Sequence, residues 1–225
     1  MEFFTPATLD VLLVTLRVAG GATLLVTPFA IAAGWALARR DFRGKSIAET
    51  LVALPLVLPP TAIGYLLLSL FGRHGFLGER SLGFDPDLLF TWRAAVVASA
   101  VVAFPLAART ARAAFEGVDP RLEHMGATLG LARGRIFRTI TLPLAGRGLA
   151  AAVALAFGRA LGEFGATVIV AGNIPGRTQT LALAIFSDIQ LGADEHALGL
   201  VGLTVVLAFV VLWTVERLLA PRRAA

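Results

Sequence analysis

Arg159 and Glu163 stand four positions apart in a run from Gly148 to Ala171 that is otherwise almost wholly apolar. On a helix, residues at i and i+4 share a face, so the two side chains can meet as an ion pair. An ionisable group in an apolar segment of this length is costly unless paired or hydrated. Two roles follow. The pair either locks helix packing, or it lines a polar pathway or its closed gate, where Arg159 could meet an anion in passing. Other chemistries find no support. His74, His124 and His196 fall in separate loops without metal-ligand spacing, so no metal site and only local hydrogen bonding are expected. The absence of cysteine removes thiolate ligands and a Cys nucleophile. No serine sits in a G-x-S-x-G elbow, and no catalytic residue is assigned. Gly44-Lys45-Ser46 ends like a phosphate-binding loop, but the full pattern needs glycine where Arg39 stands. The chain is not expected to bind ATP.

A second constellation lies between Arg109 and Arg147. Asp119-Pro120 is a helix start, with Asp at the N-cap and Pro at the first helical position. A short helix should run to about Leu129 and stop at Gly130. Leu122, Met125 and Leu129 fall at i, i+3 and i+7 and form one apolar stripe on a helix about 15 Å long. Arg121, Glu123, Arg133, Arg135 and Arg138 surround it. A further helix is expected from Gly134 to Ile140, before Pro143 opens the next apolar run. Amphipathicity alone leaves two uses open: insertion into a groove on another protein, or lying along a lipid surface.

The elements that must hold these groups are membrane-spanning helices. The 225 residues are 57% hydrophobic and 16% charged, with a mean hydropathy of +0.79. Soluble domains carry about 25% charged residues. Lipid must therefore solvate much of the chain. Uninterrupted apolar runs indicate helices and not the alternating strands of a barrel. Five spans are expected, at about 9–38, 50–71, 93–112, 147–171 and 197–216, with a loop at 117–143. The chain should form a single all-α transmembrane domain, 1–225. Met1-Glu2-Phe3-Phe4 has no basic n-region, so no cleaved leader is expected.

Basic residues set the orientation. One set of alternate loops holds Arg39, Arg40, Arg43 and Lys45, the arginines from Arg109 to Arg147, and Arg217, Arg222 and Arg223. The other holds only Arg73, Arg80, Arg93 and Arg177. The richer set belongs in the cytoplasm, which places the N-terminus outside and the C-terminus inside. The same bias accounts for the net charge of +5 without invoking nucleic acid. Arg17 is expected to snorkel to the outer interface. Leu54-Pro55-Leu56-Val57-Leu58-Pro59-Pro60 reads either as harmless kinks or as the shaping of a gate. Ala154, Gly158, Gly162 and Ala166, spaced by fours, suggest close packing on a partner subunit or a neighbouring helix, or else the lining of a pathway. Gly172, Asn173, Pro175 and Gly176 should make an outer turn. The following Thr178–Gln190 stretch is too short to span and should cover a gate from outside.

Gly130, nine residues and then Ile140-Thr141-Leu142-Pro143 is similar to the second half of the "EAA" loop of ABC importer permeases. The first half departs from that pattern, with His124, Met125 and Gly126 at the E-A-A positions and Glu123 one place early. Further stretches resemble the molybdate ABC transporter permeases, and sulfate and thiosulfate permeases share much of them. These are Phe42-Arg43-Gly44-Lys45, Leu54–Pro60, Gly75-Phe76-Leu77-Gly78, Phe104-Pro105-Leu106, Gly117-Val118-Asp119, Leu161–Thr167 and Asn173-Ile174-Pro175-Gly176.

The resemblance implies an ABC importer permease fold in the bacterial inner membrane. It implies a homodimer on two cytoplasmic ATPase subunits that bind the ATP and magnesium, fed by an extracytoplasmic oxyanion-binding protein. Molybdate, or else sulfate, thiosulfate or tungstate, would be imported by alternating access. Coupling to the ATPase would fall on Asp119, Leu122, Glu123, His124, Met125, Gly126, Leu129, Gly130, Ile140, Leu142 and Pro143. Pro59, Pro60, Arg159, Glu163 and Asn173 are the pathway or gate candidates. An ion-coupled secondary transporter would need several membrane-buried carboxylates and commonly inverted repeats, and only Glu163 qualifies. An intramembrane enzyme would need a catalytic constellation that the runs lack.

Overall fold

The computed structural model describes residues 5–79 and 87–219, and every regular element among them is helical. Met1 to Phe4, Arg80, Arg222 and Arg223, used above, lie outside the described residues. The order is α1 (Pro6–Arg39), α2 (Lys45–Val57), α3 (Pro60–Phe71), α4 (Trp92–Glu116), α5 (Pro120–Thr128) and α6 (Arg133–Ile136). A π turn (Phe137–Thr141) leads into α7 (Leu142–Leu161), followed by α8 (Gly165–Ala171), α9 (Leu181–Leu191) and α10 (Asp194–Leu219). Four stretches are long and apolar enough to cross a membrane: α1, α4, Arg133–Leu161 and Asp194–Val215. A fifth is available if α2 and α3 act as one broken span.

Small residues hold the centre together. Ala19, Ala22 and Ala30 of α1 are buried against Ala95, Ala98 and Ala103 of α4. A Cβ on Gly34 would stand 2.7 Å from the Arg112 backbone nitrogen, so only glycine lets the two backbones approach there. Polar groups inside the spans are satisfied locally. Thr15, Thr23, Thr27 and Thr204 each return their hydroxyl to the carbonyl four residues back, at 2.7–2.8 Å.

Two of the expected spans are not continuous helices. Residues 50–71 are not one helix: α2 and α3 meet at 108° across Leu58 and Pro59. Pro59 drives Leu58 into extended backbone, and neither Pro59 nor Pro60 can donate to the turn before it. The run 147–171 is likewise broken. Its helix starts earlier, at Leu142, ends at Leu161 with Gly162 as the C-cap, and resumes at Gly165. The line Ala154, Gly158, Gly162, Ala166 is therefore not a continuous ridge. Ala166 is buried, whereas a Cβ on Gly158 or Gly162 would meet open space.

The third span extends beyond 93–112 at both ends. Gly172 and Gly176, both at φ +70°, form the expected turn, and α9, at 11 residues, is too short to span. It packs through Leu181 and Ala184 on Val11 and Leu200, and the Leu181 N–H donates to Thr15 Oγ1 at 2.8 Å.

Arg93 and Arg177 of the poorer set lie near the Arg17 end of α1, and Arg39 of the richer set lies at the other. Arg17, Trp92, Arg93 and Arg177 line one cavity, with Arg17 over the Trp92 ring at 4.5 Å. Arg39 meets the loop after α4 at the other end. Arg17 and Arg39 are separated by about 33 Å of helix at 1.5 Å per residue, close to the hydrocarbon thickness of about 30 Å.

Candidate functional site

The loop after α4 is built from its caps upward. Asp119 accepts the Arg121 N–H at 2.9 Å, and Pro120 occupies the first turn. The short helix α5 ends at Thr128, and Gly130 takes the left-handed conformation at φ +79° that lets the chain turn away. Met125 and Leu129 are 61% and 80% exposed, and Leu122 shares that open stripe. His124 is exposed as well.

The inward face carries the polar and small residues instead. A Cβ on Gly126 would come within 2.9 Å of Ile140 Cδ1, so Gly126 is where α5 sits on the following segment. Glu123 faces inward with it. Its Oε1 accepts the Thr141 hydroxyl at 2.7 Å and lies 3.3 Å from Arg39 Nη2, which also donates to the Val118 carbonyl at 2.8 Å. One carboxylate thus ties the far end of α1, the short helix and the start of α7 together.

Spacing had grouped Glu123 with the surrounding charges, and sequence reading missed Arg39 and Thr141 as its partners. A single acid in a loop dominated by arginine was the available signal. Ile140 lies under Gly126, Leu142 packs beside Phe115 and Val118, and Pro143 is exposed in the first turn of α7. The helix expected from Gly134 to Ile140 is α6 with the π turn. Pro143 has no N–H, and its ring would crowd the carbonyl one turn back; a wider turn relieves that crowding.

The second group of residues lies at the break between α7 and α8. Arg159 and Glu163 do pair, Nη1 to Oε2 at 2.9 Å, but not as two residues on one helix face, because Glu163 falls beyond the helix end. Its other oxygen accepts the Ala166 N–H at 2.9 Å, at the start of α8. Glu163 is only 2% exposed, while the Arg159 side chain is 30% exposed. The acid is thereby used twice, once as counterion and once as a partner for an N–H that no helical carbonyl reaches.

Pro59 and Pro60 approach the same break. A Cβ on Gly165 would lie 2.9 Å from Pro60 Cβ, and one on Gly64 would lie 2.9 Å from the Ala166 carbonyl. The α2–α3 bend is thus seated on the α7–α8 break. Asn173 is not part of this cluster. It lies beyond the far end of α8 and donates to Ser187 Oγ of α9 at 3.0 Å.

Comparisons with known proteins agree with this architecture. Residues 27–224 match the family described as "Binding-protein-dependent transport system inner membrane component". The molybdenum transport system permease protein ModB of Escherichia coli (strain K12) is 46% identical over 200 residues, covering 88% of this chain and 87% of that protein. The sulfate transport system permease protein CysT of the same strain is 38% identical over 177 residues, covering 79% and 64%. Among solved structures, a bacterial ABC transporter involved in the import of the acidic polysaccharide alginate aligns with a TM-score of 0.80 at 16% identity, over 99% of this chain and 82% of that one. The fold is that of an ABC importer permease.

Proposed function

Because this chain belongs to the family of binding-protein-dependent transport system inner membrane components, we propose that it is the permease subunit of an ATP-driven importer for molybdate. The observation that carries the reading is the α5 loop: a capped helix whose apolar stripe is exposed while its polar side is held inward. A membrane-surface helix would bury that stripe in lipid close to the spans. A stripe turned outward beside a bristle of arginines suits a groove on a soluble partner. The partner is a cytoplasmic ATPase subunit, which supplies the ATP and magnesium sites. The coupling residues are those from Asp119 to Gly130 named above, with Ile140, Leu142 and Pro143.

The unit is a homodimer, because five spans make a thin wall around a hydrophilic path. The N-terminus faces outside and the C-terminus the cytoplasm, following the arginine bias. An extracytoplasmic binding protein delivers the anion. Closure of the ATPase pair pushes α5, and Glu123 passes the displacement to α1 through Arg39 and to α7 through Thr141. The spans move as bodies, and the Pro59–Pro60 bend and the Glu163 break, already seated on each other, form the pathway or gate region. Asn173 stands outside it. Arg159, partly exposed and already neutralised, would meet the anion only in passing, since tight binding would oppose release.

Molybdate is favoured by the higher identity and coverage of the molybdenum permease. Sulfate is the second reading, carried by the sulfate permease at 38% identity. Radiolabelled molybdate uptake by cells bearing the complete transporter tests both. Saturable uptake unaffected by excess sulfate is expected; complete competition by sulfate would reverse the assignment. Failure of a soluble ATPase to co-purify with the chain would remove the importer reading itself.

A further inference from the structure

The inner end of α1 and the segment leading into α7 enclose a cavity of about 480 Å³ that the transport reading leaves unused. Its lining is Trp35, Arg39, Arg40, Arg133, Gly134 and Phe137. The aromatic floor is ordered: Trp35 and Phe137 meet edge to face at 5.6 Å, and Arg40 lies over the Trp35 ring at 4.7 Å. Arg39 spends one nitrogen on Glu123 and Val118, but its buried Nε–H has no partner. Arg133 is exposed, and its side chain makes no ion pair or hydrogen bond among the described residues.

Three guanidinium groups against one carboxylate leave a local excess of positive charge. The exposed Arg133 and the Arg40 guanidinium held over Trp35 point to a ligand carrying several acceptor oxygens. A tetrahedral oxyanion fits that description, because arginine forks match it in a bidentate manner.

The level of the cavity selects among sources. Its wall residue Trp35 lies within the apolar run of α1, about one turn before Arg39 closes that run. The cavity therefore straddles the boundary between hydrocarbon and headgroups, where tryptophan and arginine commonly anchor. Apolar rings below and cations above suit an amphiphile better than a free ion. We propose that this cavity binds the phosphate headgroup of an anionic phospholipid of the inner leaflet, with its glycerol and upper acyl carbons against Trp35 and Phe137. The site rests on the orientation given above. Occupancy would bear on coupling, since Arg39 belongs both to this cavity and to the Glu123 tie.

The test uses the full chain in phosphatidylcholine nanodiscs. With Trp92→Phe and Trp213→Phe, Trp35 becomes the only indole reporter. Brominated phosphatidylglycerol should quench it at much lower mole fraction than brominated phosphatidylcholine. Arg133→Gln should weaken that preference about fivefold, the effect of one arginine near an anionic surface. Equal quenching by the two lipids, or a preference indifferent to Arg133→Gln, overturns the proposal. So does displacement of the lipid by millimolar inorganic phosphate, which would mark a free-oxyanion site.

Should the tryptophan variant fail to fold, native mass spectrometry of the unaltered chain and of Arg133→Gln decides the matter. Phosphatidylglycerol retained by the first and lost by the second supports the site, and equal retention overturns it. Gly134→Cys labelling separates the two layers of the claim. Labelling from outside would overturn the orientation and the inner-leaflet assignment with it. Labelling from inside, with no lipid preference, overturns the lipid site alone.

Discussion

The chain holds two Arg–Glu pairs that look alike in composition and differ in what they connect. Arg159–Glu163 is local, four residues apart at a helix break, with the acid 2% exposed and both oxygens committed. Arg39–Glu123 joins segments more than eighty positions apart, with the acid 23% exposed, and takes in Thr141 and the Val118 carbonyl as well. Where water is excluded, an acid persists only if every lone pair it presents is matched, so the first pair is built for permanence. Near solvent, a pair contributes little stability, and its value lies in which pieces it makes move together. The same two residue types thus serve as a structural lock in one place and as a transmission link in the other.

That distinction predicts its largest effect at Glu163. Glu163→Ala strands a partly buried guanidinium and orphans the Ala166 N–H, and should cost about 3 kcal/mol in unfolding free energy. Adding Arg159→Met should recover part of the loss, because the uncompensated charge goes with it. Thermal or denaturant unfolding of the purified chain in detergent measures both. A loss at Glu163 no larger than at Glu123 would erase the contrast between lock and link.

A smaller stability effect but a larger functional one is expected at Glu123. Glu123→Gln keeps the shape, weakens one hydrogen bond and removes one ion pair, and should cost about 1 kcal/mol. ATP hydrolysis by the complex should persist while uptake per ATP falls, because α5 would move without carrying α1 and α7. Arg39→Gln should give the same ratio, and combining the two should add little more, as residues acting as one unit do. Loss of uptake and hydrolysis together in strict proportion would assign Glu123 to assembly of the complex and not to transmission.

These differences also show how much of the molecule could be read from sequence. The α5 helix was legible almost to the residue because its signals are local: Asp119 and Pro120 at one end, Gly130 at the other, and an apolar stripe between. The spans were legible as apolar runs, but their breaks were not. Pro59 and Pro60 announced a disturbance without its size, since whether a proline kinks a helix or ends it depends on what takes up the freed carbonyls. Gly162 carried a weaker signal still, and the ridge of small residues concealed it. Glu163 was recognised as a partner for Arg159, yet its second bond, to the Ala166 N–H, exists only because the helix stops. The Arg39–Glu123 tie was invisible because sequence places its ends in different loops, and only the parallel packing of α1 on α4, which carries Arg39 to Val118, brings them together.

The smallest stability effect, and the sharpest test of the division of labour, belongs to the exposed stripe. Leu129 is 80% exposed and contributes nothing to the core, so Leu129→Ser should change unfolding stability by no more than about 0.5 kcal/mol. It follows Thr128 at the helix end and leaves the Gly130 turn untouched, so α5 itself should persist. Removing an apolar side chain from a groove contact forfeits roughly 1.5–3 kcal/mol of burial, or more than tenfold in affinity. Leu129→Ser should therefore leave the isolated permease intact and strip away its ATPase subunit during purification. Co-purification in the usual proportion would show that α5 lies on lipid after all. The link through Glu123 would then have nothing to transmit.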